Sequence, residues 1–148
     1  MAIVFPGIIN AKERLNFEQA YVSAFSQKFF RFNIKLLNTS TYLITIPQGH
    51  LIYSITPIVV EEPFNGSEVF LNIGTTDNEI SILHLRLNNI TNILILPMFS
   101  ELGTDFGKVI TVPVQLFMGI GWEVSKPTKG SGYGIITLLN LNHIDGYK

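Results

Sequence analysis

Apolar and polar residues alternate with a period of two through most of the chain, as in β-strands that bury one face. The alternation is clearest between residues 110 and 118, where five apolar residues alternate with Thr111, Pro113 and Gln115. Similar alternation or short apolar runs occur at 30–36, 41–46, 69–73, 80–87, 93–96 and 133–141.

The spacing of these segments predicts the class of fold. About eight strands at intervals of roughly ten residues indicate a β-sandwich or a barrel. Eight antiparallel strands in two sheets correspond to a jelly roll. Strands do not alternate with helical segments, so a doubly wound fold is not expected. We therefore predict an all-β chain with one antiparallel, jelly-roll-like β-sandwich over residues 29–148.

Two segments depart from simple alternation. Leu51–Val60 is apolar on both faces, which predicts a strand that is buried on one side and covered on the other. Pro57 within it indicates an edge or a bulge. Residues 119–134 are glycine-rich and are predicted to form a long loop. Within that loop, Gly130–Gly134 lacks the Gly-Lys-Ser/Thr sequence and the following helix of a phosphate loop, so a hairpin or flexible loop is expected.

Residues 1–28 are predicted to form an N-terminal arm or a short helix. Phe17, Ala20, Tyr21, Ala24 and Phe25 have helical spacing, and Asn16 is a suitable N-cap. An extended arm is the alternative, and in an oligomer it is expected to reach a neighbouring subunit or a shell. The apolar residues expected at that interface are Ile3, Val4, Phe5, Ile8 and Ile9.

The composition is poor in charge. Only 14% of residues are charged and the formal net charge is −1, whereas an average domain has about 25% charged residues. A surface this neutral predicts cover by other protein, as in an oligomer or an assembly component. The alternative explanation is an A+T-rich genome that enriches Ile, Asn, Phe and Lys. The ten basic residues are scattered, so no nucleic-acid partner is expected. Neither a membrane-spanning segment nor a secretory signal is expected.

The candidate chemistry does not predict an enzyme. The chain has no cysteine, and its histidines lie outside any metal-ligand spacing. Glu61 and Glu62 are neighbours on a strand and point to opposite faces, so they cannot line one catalytic cleft. Residues 77–79 lack the spacing of a calcium loop. We predict no catalytic residue, no metal site and no cofactor.

Aromatic residues give the one candidate for ligand binding. Trp122 and Tyr133 lie near the glycine-rich segment and are possible stacking platforms for a sugar. They support an alternative function, that of a glycan- or receptor-binding β-module in a tail or fibre assembly.

The run from residue 42 to residue 78 carries a family resemblance. It contains an Ile-Pro-x-Gly turn, then a long strand with a Glu-x-Phe-Asn-Gly turn, then an Ile-Gly-Thr turn. These features are Ile46, Pro47 and Gly49; Glu62, Phe64, Asn65 and Gly66; and Ile73, Gly74 and Thr75. The run resembles small structural proteins of tailed-phage virions, and glycines 130, 132 and 134 before a final strand are similar to the C-terminal part of that family.

The resemblance implies a jelly-roll-like virion protein. Such proteins commonly decorate and cement the phage head as trimers over capsid symmetry axes. The expected function is therefore that of a capsid decoration protein, located at the capsid surface rather than in the tail, that stabilises the head shell as a homo-oligomer. Its expected partners are further copies of itself and the major capsid protein or other virion proteins. Phe64 is expected to plug one end of the sandwich.

Overall fold

The computed structural model describes residues 23–87, 94–95 and 97–142, and these residues form an all-β structure. Short 3-10 turns lie at Ile34–Leu36 and Phe99–Glu101. The eight strands found in the described residues are β1 (Phe25–Asn33), β2 (Thr41–Ile46), β3 (His50–Glu62), β4 (Ser67–Gly74), β5 (Leu83–Arg86), β6 (Leu94–Ile95), β7 (Val114–Ser125) and β8 (Ser131–Asn140).

The strands form two four-stranded antiparallel sheets, which confirms the predicted antiparallel β-sandwich. Sheet A has the order β1-β8-β3-β6 and sheet B has the order β2-β7-β4-β5. The first strand pairs with the last, the second with the seventh, the third with the sixth and the fourth with the fifth. The chain thus folds back on itself as one antiparallel ribbon, and the β3–β8 and β4–β7 pairings close that ribbon into two sheets.

The core lies between the inward faces of the two sheets. In β4, Val69, Leu71 and Ile73 alternate with more exposed residues and are completely buried, as their spacing predicts. Leu51–Val60 lies within β3, which pairs on both sides. A register shift between Ile55 and Ile58 in the β3–β8 pairing confirms the bulge predicted at Pro57. Each fully buried aliphatic side chain contributes about 1.5–3 kcal/mol to the free energy of unfolding.

Glycines in β8 make room for aromatic rings of the core. Gly132 pairs with Phe32 and Gly134 pairs with Phe30. A Cβ atom on Gly132 would lie 2.5 Å from the Phe32 ring, and one on Gly134 would lie 2.6 Å from the Phe30 ring. The prediction of a loop over residues 119–134 is wrong, because β7 continues to residue 125 and β8 begins at residue 131. Glycine is favoured at residues 132 and 134 because the two rings occupy the space that a larger side chain would need.

The predicted plug at one end of the sandwich is confirmed. Phe64 is 1% exposed and stacks on Phe32, with 6.0 Å between ring centroids. Asn65 holds the turn in place, since its Oδ1 accepts hydrogen bonds from the backbone N–H groups of Thr128 (2.7 Å) and Lys129 (3.1 Å). Glu62 Oε1 accepts another from the Gly130 N–H at 2.9 Å. These hydrogen bonds therefore hold the turn at residues 62–66 against the glycine-rich segment.

The first strand differs from its predicted bounds. β1 starts at Phe25 rather than at residue 29, so the last residues assigned to the arm belong to the sandwich. It ends at Asn33, whose Oδ1 accepts a hydrogen bond from the Lys35 N–H at 2.8 Å and begins a 3-10 turn. The strand predicted to reach residue 36 is thus shorter. The predicted helix from residue 16 lies mainly outside the described residues.

The predicted strand at 110–118 is also displaced. β7 begins at Val114, because Pro113 has no N–H group for a strand ladder. Ile110 instead bonds to the start of β3, since its N–H donates to the His50 carbonyl at 2.8 Å and its carbonyl accepts from the Gly49 N–H at 2.8 Å.

Candidate functional site

The outer side of sheet A, formed by β1, β8 and β3, carries exposed aromatic side chains, among them Phe29 and Tyr53. Along β1, β8 and β3, residues that point into the core alternate with residues that point outward. Cross-strand partners lie on the same side of a sheet. The outward residues that are at least partly exposed, which we call face A, are Phe25, Gln27, Phe29, Arg31, Leu51, Tyr53, Val59, Glu61, Tyr133, Ile135 and Leu139.

Aromatic rings form two pairs on face A. The rings of Phe25 and Tyr53 meet edge to face, with 4.9 Å between centroids, and those of Phe29 and Tyr133 lie 5.5 Å apart. Phe29 is 49% exposed and Tyr53 is 54% exposed. These side chains are ordered by one another, so they lose little conformational freedom when a second surface covers them.

Charge on face A is confined to one end. The Arg31 guanidinium lies 5.2 Å from the Phe29 ring centroid and 5.9 Å from that of Tyr133. Its Nη1 atom is 3.4 Å from Glu61 Oε1. Both partners are exposed, so this ion pair contributes little to stability. The rest of face A is neutral, which suits contact with protein better than contact with an anionic or cationic ligand.

The two predicted stacking residues are not brought together. Tyr133 lies on face A against Phe29. Trp122 lies near the end of β7 in the other sheet, opposite Val69, and is 36% exposed. The two rings therefore belong to different sheets and do not form one platform.

Sequence reasoning missed Phe25, Phe29 and Tyr53 as surface residues. Buried and exposed residues of β1 alternate only from Phe29 to Phe32, and residues 26–29 are all exposed, so the hydrophobic pattern carries no signal for Phe25. The predicted interface residues Ile3, Val4, Phe5, Ile8 and Ile9 lie outside the described residues and stay a prediction.

The polar residues considered for catalysis have separate partners. Glu61 faces Arg31, whereas Glu62 accepts a hydrogen bond from Gly130. His50 Nδ1 lies 3.2 Å from the Gln48 carbonyl oxygen, and His84 Nδ1 lies 2.7 Å from Asn72 Oδ1. Within residues 23–87, 94–95 and 97–142, no group of three or more His, Asp or Glu residues is placed to hold a metal ion. None of the helical segments described has the length and apolar character needed to cross a membrane.

Comparison with known proteins does not assign the chain to a family. The chain matches no family model, and neither the curated proteins nor the solved structures contain a match.

Proposed function

We propose that the protein is a phage virion structural protein, a capsid decoration (cement) protein that binds and stabilises the head shell as a homo-oligomer, with a trimer favoured. The observation that carries the proposal is face A, a strand face with two exposed aromatic pairs, in a chain with only 14% charged residues. Large exposed apolar patches on soluble domains mark surfaces that contact other molecules.

The strand order supports the same proposal. Each strand in the first half of the chain pairs with its counterpart, counted back from the end, in the second half. A single antiparallel ribbon wrapped into two sheets has this order, and we infer from it that the sandwich is a jelly roll. Jelly rolls are a frequent architecture of viral capsid domains. The resemblance of residues 42–78 to small virion proteins of tailed phages agrees with that inference.

The size of face A indicates how such an interface is built. The ten residues of β8 span about 33 Å, and three adjacent strands are about 10–15 Å wide, which gives roughly 400 Å². A stable interface buries about 800 Å² on each partner. Face A would then be the apolar centre of a contact, with neighbouring loops as its polar rim. A protein that binds only the assembled shell stabilises it by mass action.

The test measures self-association and capsid binding of the full chain. We expect the purified protein to sediment as an oligomer and to bind empty tailed-phage capsids. Phe29→Glu and Tyr53→Lys each place a charge in one of the two aromatic pairs of face A and should abolish both properties. Both side chains are half exposed, so each substitution should lower the free energy of unfolding by about 0.5–1.5 kcal/mol, the contribution of the aromatic pair that it breaks.

Val124→Lys is the matched control, since Val124 is an exposed apolar residue of β7 in the other sheet. It should leave assembly unchanged. A wild-type protein that is monomeric and does not bind capsids would contradict the proposed function. A wild-type oligomer that survives both face A substitutions would instead exclude face A as the interface.

A further inference from the structure

The outer side of sheet B carries a groove with a volume of about 480 Å³, within the range of about 300–1,000 Å³ that is typical of ligand sites. Its floor is the backbone of β7 at Gly119 and Gly121. Residues 38–40 form one wall, and Asn72 with residues of the 75–79 loop forms the other. A Cβ atom on Gly119 would lie 2.4 Å from the Thr39 carbonyl oxygen, so the first wall lies directly against the floor. We call this feature the sheet B groove.

The lining of the sheet B groove is polar but almost uncharged. Its side chains offer two amides, four hydroxyls and the carboxylate of Glu79. None of the described residues that line it is Lys, Arg or His, so these residues offer no cation for a phosphate or sulfate group. Glu79 belongs to no group of three or more His, Asp or Glu residues, within the part of the chain that the structure describes, that could hold a metal ion. This chemistry matches an uncharged ligand that carries many hydroxyl groups.

Asn72 is held in a position to bind such a ligand. Its Oδ1 lies 2.7 Å from His84 Nδ1, and the His84 ring stacks on Phe70 with 4.1 Å between centroids. When Nδ1 carries the proton, the histidine donates to the amide oxygen. The amide nitrogen then faces the floor, 3.0 Å from the position of a Cβ atom on Gly121. The amide therefore presents N–H donors to the groove in a fixed orientation, which lowers the cost of ordering on binding.

Apolar surface adjoins this polar groove on the same face of the sheet. Phe117 lies two residues before Gly119 in β7, and its ring meets Tyr42 edge to face at 6.0 Å. Tyr42 is exposed. A sugar ring has a hydroxyl edge and an apolar C–H face, so it can use both surfaces at once.

We infer that the sheet B groove binds a neutral saccharide, with Asn72 as a hydrogen-bond donor and the β7 backbone as its floor. The site is distinct from Trp122 and Tyr133, neither of which lines it. It does not depend on the proposed role in capsid assembly, because it uses the opposite sheet.

The experiment uses an array of neutral and anionic oligosaccharides probed with the full chain, followed by calorimetric titration with the neutral oligosaccharide that binds best. Gly121→Val fills the floor while placing a good strand former on an outward position. Asn72→Ala removes the fixed donor. Each variant should bind about tenfold more weakly or worse, the effect of losing one or two hydrogen bonds.

Glu123→Ala, two residues beyond Gly121 on the same face of β7, and Tyr133→Ala on face A are the controls and should bind like the wild type. Thermal melts confirm folding, and if Asn72→Ala does not fold, Gly121→Val decides the outcome. The inference is overturned if no neutral oligosaccharide binds, if only anionic ones bind, or if Gly121→Val binds normally. Loss of binding on Trp122→Ala with normal binding by Gly121→Val would also overturn it.

Discussion

Gly134 and Phe30 are cross-strand partners that share one space in the core. The three atoms nearest to a Cβ placed on Gly134 all belong to the Phe30 ring, the first at 2.6 Å. The neighbouring pair differs. A Cβ on Gly132 would meet the Phe32 ring and also the Val59 carbonyl oxygen at 2.4 Å. A smaller side chain at residue 30 can therefore relieve a methyl group at 134, whereas backbone still obstructs one at 132.

We predict that Gly134→Ala lowers the free energy of unfolding by about 1–3 kcal/mol, the usual cost of an overpacked core. In the double variant with Phe30→Leu, the loss should be smaller than the sum of the two single losses, because the two residues are in contact. Gly132→Ala with Phe32→Leu should show little relief. Urea unfolding of the two double-mutant cycles measures the difference. Additive losses in the first cycle would contradict the shared-space account.

The same glycines show where residue-level interpretation of the sequence fails. A Gly-x-Gly-x-Gly run is typical of a loop, and nothing local distinguishes it from a strand in which rings of another strand replace the missing side chains. The partner rings, Phe30 and Phe32, lie about a hundred residues earlier in the chain. The role of the run follows from the register between β1 and β8, which is a tertiary property.

Strands with strict alternation of apolar and polar residues could be predicted from the sequence. The bounds of strands that end at a specific hydrogen bond could not. β4 has its predicted inward residues because alternation alone determines its buried face. Residues 110–113 keep the same alternation, and Ile110 packs against the core, yet they lie outside β7. Pairing depends on available N–H groups and on a neighbouring strand, neither of which a hydrophobic pattern records.

The two candidate sites could not be predicted from the sequence. Face A combines outward residues of β1, β3 and β8, and the sheet B groove combines β7 with loops near residues 39 and 76. Each set becomes contiguous only when strands from both halves of the chain pair. Trp122 and Tyr133 both lie near the glycine-rich segment in the sequence, but the fold places them in different sheets.

Strand position predicts a gradient of amide hydrogen exchange. β8 pairs with both β1 and β3, and β7 pairs with both β2 and β4, whereas the two residues of β6 pair with β3 alone. Amides of Ile136, Leu138 and Ile120 should exchange only by global unfolding, and those of β6 should exchange by local opening. Hydrogen exchange followed by NMR measures this. Exchange of the β8 amides as fast as that of β6 would contradict the central position of β8.

Over the whole molecule, the two proposed surfaces lie on opposite sides of one sandwich. Face A is the outer side of sheet A and the groove is on the outer side of sheet B, with the core between them. Packed sheets are about 10 Å apart. A protein that contacts other subunits through face A would therefore keep the sheet B groove open to the surroundings. This arrangement would let one small domain attach to a particle and still bind a saccharide from outside.

The separation predicts that assembly and saccharide binding are independent. Substitutions more than about 7–10 Å apart with no shared partners usually have additive effects. Tyr53→Lys should therefore abolish self-association while leaving the dissociation constant for the neutral oligosaccharide unchanged, and Gly121→Val should do the reverse. Calorimetric titration and sedimentation of both single variants and of the double variant measure the two properties. If the monomeric Tyr53→Lys protein binds the oligosaccharide more weakly than the wild-type oligomer, a second copy contributes to the groove, and the division of the two functions between opposite sheets is wrong.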